Sequence, residues 1–394
     1  MLAKNGGIPI RNQYLAYGKQ SIDEQDIAAV IEVLRSPMLT QGPMIERFEQ
    51  KIADYVGVKY AVAFCNGTAA LHGAYYAAGV TEGDEVITTP ITFVATTNAV
   101  LYLGGKPVFA DINGRTYNLD VSAVEKKITS KTKVITSVDF SGQPADYDAF
   151  RKIADKNNLV YISDGAHSFG ARYKGVPVGS QADLTMFSFH PVKPITTGEG
   201  GVIVTNSEDY YKKLKLFRSH GIINDPHLLE RNEGPWYYEM VELGLNYRMT
   251  DIQAALGISQ FDKLEAFILQ RRRLANLFNT AFSNMEGIIT PYQQVETESG
   301  WHLYILRFDL SKFNATRREM FEALRAENIG VHVHYIPVYF QPYYKNLGYD
   351  LGICPIAEKW YEEVITLPLF PKMSKEDTDN VVEAIKKIYR EFKK

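Results

Sequence analysis

Residues 188–201 read Ser-Phe-His-Pro-Val-Lys-Pro-Ile-Thr-Thr-Gly-Glu-Gly-Gly. The apolar run Leu184–Phe189 leads into this stretch and Gly201–Val204 leads out of it. Short apolar runs bounded by Gly and Pro are the pattern of buried strands. Lys193 therefore lies in a rigid, glycine-rich return between Pro191 and Pro194, with little freedom to reach solvent. Burial lowers a lysine pKa and leaves the amine nucleophilic near neutral pH. An ordinary loop lysine fits the same residues, so the reading turns on what the other strand ends contribute.

Five more apolar runs precede this one: Tyr60–Phe64, Glu85–Thr89, Pro107–Ala110, Lys133–Val138 and Leu159–Ser163. Helical patterns over Thr68–Ala78, Thr92–Leu103, Tyr147–Lys156 and Glu208–Ser219 alternate with the strands. This alternation predicts crossover units and a mostly parallel, seven-stranded sheet with helices on both faces. Ahead of the sheet, Ser21-Ile-Asp-Glu24 has the spacing of a capping box. Ile27, Val30, Ile31 and Leu34 follow at helical spacing, and Ser36-Pro37 ends the segment.

After residue 250 the texture changes. One long helix is expected from Thr250 toward Phe282, with Ile252, Leu256, Phe261, Leu264 and Phe267 along it. A strand near Trp301–Leu310, a helix near Arg317–Glu327, a strand near Gly330–Tyr335 and a closing helix, Lys375–Phe392, follow. The fold class is α/β: a large domain over residues 1–255 and a smaller C-terminal α/β domain over 256–394.

In open α/β sheets, ligands sit beyond the carboxyl ends of the strands. Tyr60–Phe64 runs into Cys65-Asn-Gly-Thr-Ala-Ala70. Gly67 and Thr68 at a helix start offer bare N–H groups and a hydroxyl to an anion; a tight turn with an N-cap reads the same way. Leu159–Ser163 ends in Asp164-Gly-Ala-His167. The acid could cap a helix or face a cationic ring nitrogen, and His167 could be a core histidine. Anion cradle, acid and lysine together are what pyridoxal phosphate needs.

Composition narrows the alternatives. The chain has 394 residues, 23% charged and 45% apolar, with a net charge of −3. That is ordinary globular composition without the basic footprint of a nucleic-acid binder. Met1–Gly18 holds no apolar signal region and no run is long enough to span a bilayer, so a cytoplasmic chain is expected. Cys65 and Cys354 have no metal-site spacing and read as apolar filler in a reducing compartment. No metal is expected. No Gly-x-Gly-x-x-Gly follows an early strand, which disfavours a nicotinamide dehydrogenase.

The run His190-Pro-Val-Lys193-Pro-Ile-Thr-Thr-Gly-Glu-Gly-Gly201 resembles the lysine motif of the DegT/DnrJ-type sugar aminotransferases, which are fold-type I pyridoxal-phosphate enzymes. Leu39-Thr-Gln-Gly42, Asn66-Gly-Thr-Ala69, Pro90-Ile-Thr-Phe-Val-Ala95, Arg218-Ser-His-Gly221, Leu245-Asn-Tyr-Arg-Met249, His334-Tyr-Ile-Pro337 and Leu367-Pro-Leu-Phe-Pro371 match in order. Lys-Pro-Ile-Thr-Thr and Leu-Thr-Gln-Gly are most similar to the pseudaminic-acid branch. Members of that branch move an amino group from glutamate to carbon 4 of a UDP-linked 4-keto-6-deoxy N-acetyl hexosamine.

The resemblance implies a role for each matched residue. Lys193 is the Schiff-base lysine, and Asp164 keeps the pyridine nitrogen protonated. Phe93 stacks on the ring, although a core aromatic fits the same position. Gly67, Thr68 and Ser188 match phosphate or product contacts. Asn246 reaches the phosphate from a neighbouring subunit, which implies a homodimer with shared sites. Tyr17, Thr40, Gln41, Arg248, His332, His334 and Tyr335 fall among the sugar-nucleotide contacts. His167 counts with the cofactor residues and replaces the glutamine common in the family, as it does in the pseudaminic branch.

Three rivals share the scaffold. In some relatives a histidine replaces the lysine and the enzyme is a sugar 3-dehydrase; Lys193 argues against that. An aminotransferase for a 3-keto or D-configured 4-keto sugar nucleotide fits the same residues. A non-catalytic regulatory protein is opposed by Lys193 and Asp164.

Overall fold

The computed structural model describes all 394 residues. Its centre is a sheet of seven strands: β1 (Tyr60–Phe64), β2 (Glu85–Thr88), β3 (Lys106–Phe109), β4 (Thr132–Val138), β5 (Val160–Asp164), β6 (Leu184–Ser188) and β7 (Gly201–Thr205). Their order across the sheet is β1-β7-β6-β5-β4-β2-β3. Only β7 runs against its neighbours; the rest are parallel. Each observed strand overlaps its predicted apolar run to within about one residue at either end, the usual play in such boundaries. The 188–201 stretch is the return between adjacent antiparallel strands, with Ser188 paired to Gly201. Phe189 N–H donates to Gly200 O at 2.9 Å and Thr197 N–H to Phe189 O at 3.0 Å, which closes it.

Alternate residues of the strands feed opposite faces, as the pleat requires. Ala61, Ala63, Val202 and Val204 join one core cluster, while Val62, Phe64 and Ile203 join the other. The helices on these faces are α1 (Glu24–Arg35), α2 (Pro43–Val56), α3 (Gly67–Ala77), α4 (Ala95–Leu101), α5 (Tyr147–Asn157), α6 (Glu208–Arg218) and α7 (Asp251–Phe261). The last part of the chain adds α8 (Leu264–Phe282), α9 (Arg317–Ala326) and α10 (Lys375–Phe392). These pack on a small antiparallel sheet of β8 (Ile288–Ile289), β9 (Tyr304–Phe308) and β10 (Val364–Leu367). Leu2 and Leu15 join that second core from the far end of the chain.

Three expectations are corrected, and one helix went unpredicted. The capping box of α1 is Asp23 with Asp26, not Ser21 with Glu24. Asp26 is also held by Ser259 Oγ, Gln260 Nε2 and Lys263 Nζ, so tertiary partners choose the cap. Ile27, Ile31 and Leu34 are 43%, 40% and 55% exposed, so this apolar stripe has no cover in the single chain. α2 was not anticipated, although Pro43 begins it and Ile45, Phe48, Ile52 and Val56 are buried at helical spacing. The long helix from Thr250 is two helices: a turn at Asp262–Lys263, where Lys263 N–H donates to Gln260 O at 3.1 Å, interrupts it, and Lys263 Nζ pairs with Asp23 at 2.5 Å and Asp26 at 2.8 Å. Gly330–Tyr335 is not a strand. Its backbone pairs with β10 only at His332 and Thr366, and β10 instead pairs with β9.

Two motif residues prove structural. Arg218 is buried and pairs with Glu49 of α2 at 2.5 Å, and Glu49 also accepts from Ala63 N–H at 2.7 Å. Gly221 has φ +66, and a Cβ there would lie 1.9 Å from Glu242 O, so only glycine fits. No helix is long and apolar enough to cross a membrane. Cys354 is buried, and Cys65, half-buried just after β1, packs against the core on one face of the sheet.

Candidate active site

β1, β5 and β6 end on one edge of the sheet, and their ends bring the expected parts together. Beyond β1, Asn66 caps α3 by accepting Ala69 N–H at 2.8 Å. The N–H groups of Gly67 and Thr68 are left without acceptors in the chain. Ser188, at the end of β6, stands across from them: a Cβ on Gly67 would lie 3.3 Å from Ser188 Oγ. Glycine therefore keeps open a space lined by free N–H groups, a helix N-terminus and hydroxyls. Such a space suits a phosphate.

Asp164 ends β5 and is buried. Its Oδ2 accepts from Thr96 Oγ1 at 2.6 Å and its Oδ1 from Ala166 N–H at 3.1 Å. Because the Thr96 proton is committed to Asp164, Thr92 Oγ1 must donate to Thr96 at 2.8 Å. Burial raises the Asp164 pKa, against the hydrogen bonds and the Lys193 charge. A carboxylate so placed lacks a close counter-charge, and a protonated ring nitrogen would supply one.

Lys193 is half-buried in the β6–β7 return. Burial brings its pKa down to about 8, with Asp164 pulling up and Arg271 pushing down. Val192 beside it faces Gly18, whose Cβ would lie 3.3 Å from Val192 Cγ1, so the N-terminal segment borders the lysine loop.

An aromatic and imidazole group completes this side. The Tyr17 ring lies 5.4 Å from both His332 and His334, whose rings are 4.5 Å apart. His334 Nδ1 lies 3.0 Å from Thr366 Oγ1, and burial, then the neighbouring His332 and Lys193, bring its pKa down to about 3. Leu369 N–H donates to Tyr17 O at 3.1 Å and His332 bridges to Thr366, so β10 and the residues after it set both side chains. His167 Nε2 lies 3.1 Å from Tyr335 Oη. Phe93 is 58% exposed, 6.2 Å from the Tyr335 ring, which rules out the core aromatic.

Thr40, Gln41, Asn246 and Arg248 form a second group, with no hydrogen bond or ring contact to the first. Thr40 bridges to Thr250, and Gly42 and Met44 N–H donate to Asp251 at 2.8 and 3.0 Å. Gln41 sits between them with φ +57. Asn246 is exposed. Arg248 bridges to Phe64 at the end of β1, and its Nε is buried without a partner. The Arg248 backbone is thereby tied to the strand that leads into the anion cradle.

Residues 20–386 match the DegT/DnrJ/EryC1/StrS aminotransferase family. The chain belongs to that family. Among its relatives is the spore coat polysaccharide biosynthesis protein SpsC of Bacillus subtilis, 40% identical over 96% of this chain and 98% of that protein. Another is the UDP-4-amino-4,6-dideoxy-N-acetyl-beta-L-altrosamine transaminase of Campylobacter jejuni (serotype O:2), 38% identical over 96% of this chain and 99% of that one. PseC of Helicobacter pylori, an aminotransferase of pseudaminic acid biosynthesis, superposes with a TM-score of 0.90 at 34% identity, covering 96% of this chain and 100% of that one. The fold is fold-type I, and the protein is a pyridoxal-phosphate-dependent aminotransferase. Its structural neighbours include Spr1654 of Streptococcus pneumoniae in the PLP form.

Several residues of this site escaped sequence reading. Thr96 lies one residue beyond the matched Pro90–Ala95 motif, yet it holds Asp164. Arg271 is buried with no acid partner and donates to the carbonyls of Trp301, His302 and Leu369 at 3.2, 3.2 and 2.9 Å. The His302 ring lies 4.4 Å from His167. A buried arginine and histidine leave no trace in an apolar pattern, so no signal pointed to them. Asp139, at the end of β4, is buried and accepts from Ser168 Oγ at 2.5 Å and Tyr147 Oη at 2.6 Å. It pins the turn that carries Asp164 and His167.

Proposed function

We propose that the enzyme moves the amino group of glutamate to C4 of a UDP-4-keto-6-deoxy-N-acetylhexosamine, UDP-2-acetamido-2,6-dideoxy-beta-L-arabino-hex-4-ulose, as in pseudaminic acid biosynthesis. The observation that carries this reading is the Tyr17–His332–His334–Tyr335 group beside Lys193, at the positions where the sequence resembles the pseudaminic branch. The name of the Campylobacter relative supports it. SpsC, a spore coat polysaccharide protein, supports a second reading, amination of a different keto-sugar nucleotide.

When bound, pyridoxal phosphate supplies an aldehyde that exchanges amines and a ring that takes up the electron pair of a broken C–H bond. Gly67, Thr68 and Ser188 would hold its phosphate, Asp164 would face the ring nitrogen, and Phe93 would cover the ring. Lys193 is the covalent anchor. Its Nζ would be the base that takes the proton from the amino donor's α-carbon and delivers it to the carbon on the far side of the intervening nitrogen. The low pKa suits both duties, since the amine is neither always charged nor too weak a base near neutral pH. The buried Asp164 carboxylate would keep the ring nitrogen protonated by charge and hydrogen bonding.

The same reading makes the active form a homodimer, with Asn246 of each chain completing the other's site. The uncovered apolar side chains Trp236, Met240 and Leu243, at 74%, 64% and 81% exposure, support a partner surface on the segment leading to Asn246. The test is to incubate the protein with glutamate and UDP-4-keto-6-deoxy sugars of both C5 configurations, and to identify the product by NMR. Amination of the L-configured sugar is expected. Amination of the D-configured sugar alone would reject the pseudaminic substrate and leave the aminotransferase standing.

A further inference from the structure

The first residues of the chain pack on its last elements. Leu2 is fully buried in the second core, and Leu15 joins it there. Glu327, just past the end of α9, is fully buried as well. Its Oε1 accepts Ala3 N–H at 2.8 Å and its Oε2 accepts Ile10 N–H at 2.9 Å. Lys387 of α10 supplies the counter-charge at 2.8 Å and also donates to Ile8 O at 2.9 Å. A buried carboxylate needs such partners, because leaving its charge unpaired is costly. Here the donors it takes are the backbone of the N-terminal segment, which is thereby pinned at both Ala3 and Ile10. Further along, Arg11 pairs with Asp377 at 2.8 Å, and Asn328 Nδ2 donates to Arg11 O at 2.7 Å.

The segment then runs beside residues 328–330. Leu15 N–H donates to Asn328 O at 2.9 Å and Gly330 N–H donates to Leu15 O at 2.7 Å, a parallel bridge between Leu15 and Ile329. Glycine is needed at 330 for space: a Cβ there would lie 2.3 Å from Leu15 O and 2.8 Å from Tyr14 Oη. The bridge fixes the register of the two segments. Tyr17 follows on one, His332 and His334 on the other, and the Tyr17 ring meets both imidazoles at 5.4 Å. Backbone bonds place Tyr17: the Leu15 bridge before it, and its own carbonyl, which accepts Leu369 N–H at 3.1 Å. Beyond it the chain crosses to the large sheet, where Gly18 borders Val192 and Gln260 Nε2 donates to Ser21 O at 2.8 Å.

We propose that Glu327 and Gly330 are positioning residues for the sugar-nucleotide site. Together they dock the N-terminal segment in the register that brings Tyr17 against His332 and His334. This rests on the reading above of Tyr17, His332 and His334 as substrate residues.

Gly330→Ala and Glu327→Gln are compared with wild type as cofactor-loaded protein. Amide exchange at Leu15 should quicken in both, because the bridge opens more often. KM for the L-configured UDP-4-keto-6-deoxy sugar should rise about tenfold, the loss of one well-placed contact, with KM for glutamate and the cofactor absorbance unchanged. Tyr17→Ala separates positioning from a general structural effect. Alone it should raise the same KM about tenfold. Combined with either variant it should cost no more than it does alone, because the residue being placed is already gone. A multiplied loss of about a hundredfold overturns the proposal, since the sites then act independently. Leu15 exchange that stays slow, an unmoved sugar KM, or equal losses for sugar and glutamate overturn it too. If Tyr17→Ala itself leaves the sugar KM unmoved, the substrate reading of Tyr17 falls and the positioning role falls with it. Should Gly330→Ala not fold, Glu327→Gln carries the test, since its amide keeps the shape and one acceptor.

Discussion

Lys193 sits among groups that make its charge costly. With a pKa of about 8, about a tenth of the amines are neutral at pH 7, against about one in three thousand for an ordinary lysine. Cofactor uptake by the apoprotein should therefore speed up as pH rises through about 8 and then level off, followed by the growth of cofactor absorbance. A rate still climbing past about pH 10 would mean an unperturbed lysine. Lys193→Ala should lose this absorbance and about 10³-fold or more in turnover. His334 carries the opposite kind of test. Its folded pKa of about 3 lies below the unfolded value of about 6.5. Its neutral form is fully accommodated above pH 6.5, and stability is lost as pH falls from there toward 3, by about 2 kcal/mol at pH 5. Asp139, raised to about 6 chiefly by burial, works the other way, because the folded state takes its proton first. His334→Gln should flatten the acid side of the stability curve, and a curve that keeps its slope would remove His334 as a source. Lys193 and Asp164 were legible because each follows a strand and meets chemistry of its own kind. Thr96, Arg271 and His302 were not, because their partners are distant in sequence and become neighbours only after folding.

Asp251 shows how one element steadies another. It begins α7, yet its two carboxylate oxygens accept Gly42 and Met44 N–H at the start of α2. Through that contact α7 holds the Thr40–Gln41 loop. Asp251→Ala should cost about 1–3 kcal/mol, the usual penalty for leaving buried donors unsatisfied. It should also raise KM for the sugar nucleotide more than it lowers kcat. Asp251→Asn keeps one charge-free acceptor and should fall between, as read by denaturant unfolding and steady-state kinetics. The strands of the large sheet were legible to within a residue because buried parallel strands are continuous apolar runs. The Gly330–Tyr335 segment misled because Val331, Val333 and Tyr335 alternate like a strand, whereas its histidines are turned to the site and only one residue pairs with β10.

At the scale of the molecule, the residues matched to the family fall into two separate groups. In the proposed reading the Lys193 group would hold the cofactor, with Asn246 added from a second chain. If two chains exchange that residue, Lys193→Ala and Asn246→Asp should each be inactive alone. Remixed as a homodimer, they should regain about a quarter of wild-type activity, since half the dimers are mixed and each has one intact site. No recovery after verified subunit exchange would mean that each chain completes its own site. The sequence by itself determined the strands of the large sheet and which residues follow them, among them Gly67, Asp164 and Lys193, because strand periodicity is local. Only the tertiary structure decided which acids cap α1, where the long helix breaks, that Phe93 is exposed, and that His167 meets Tyr335. Each of those depends on a partner far along the chain, and only the packing brings that partner within hydrogen-bonding distance.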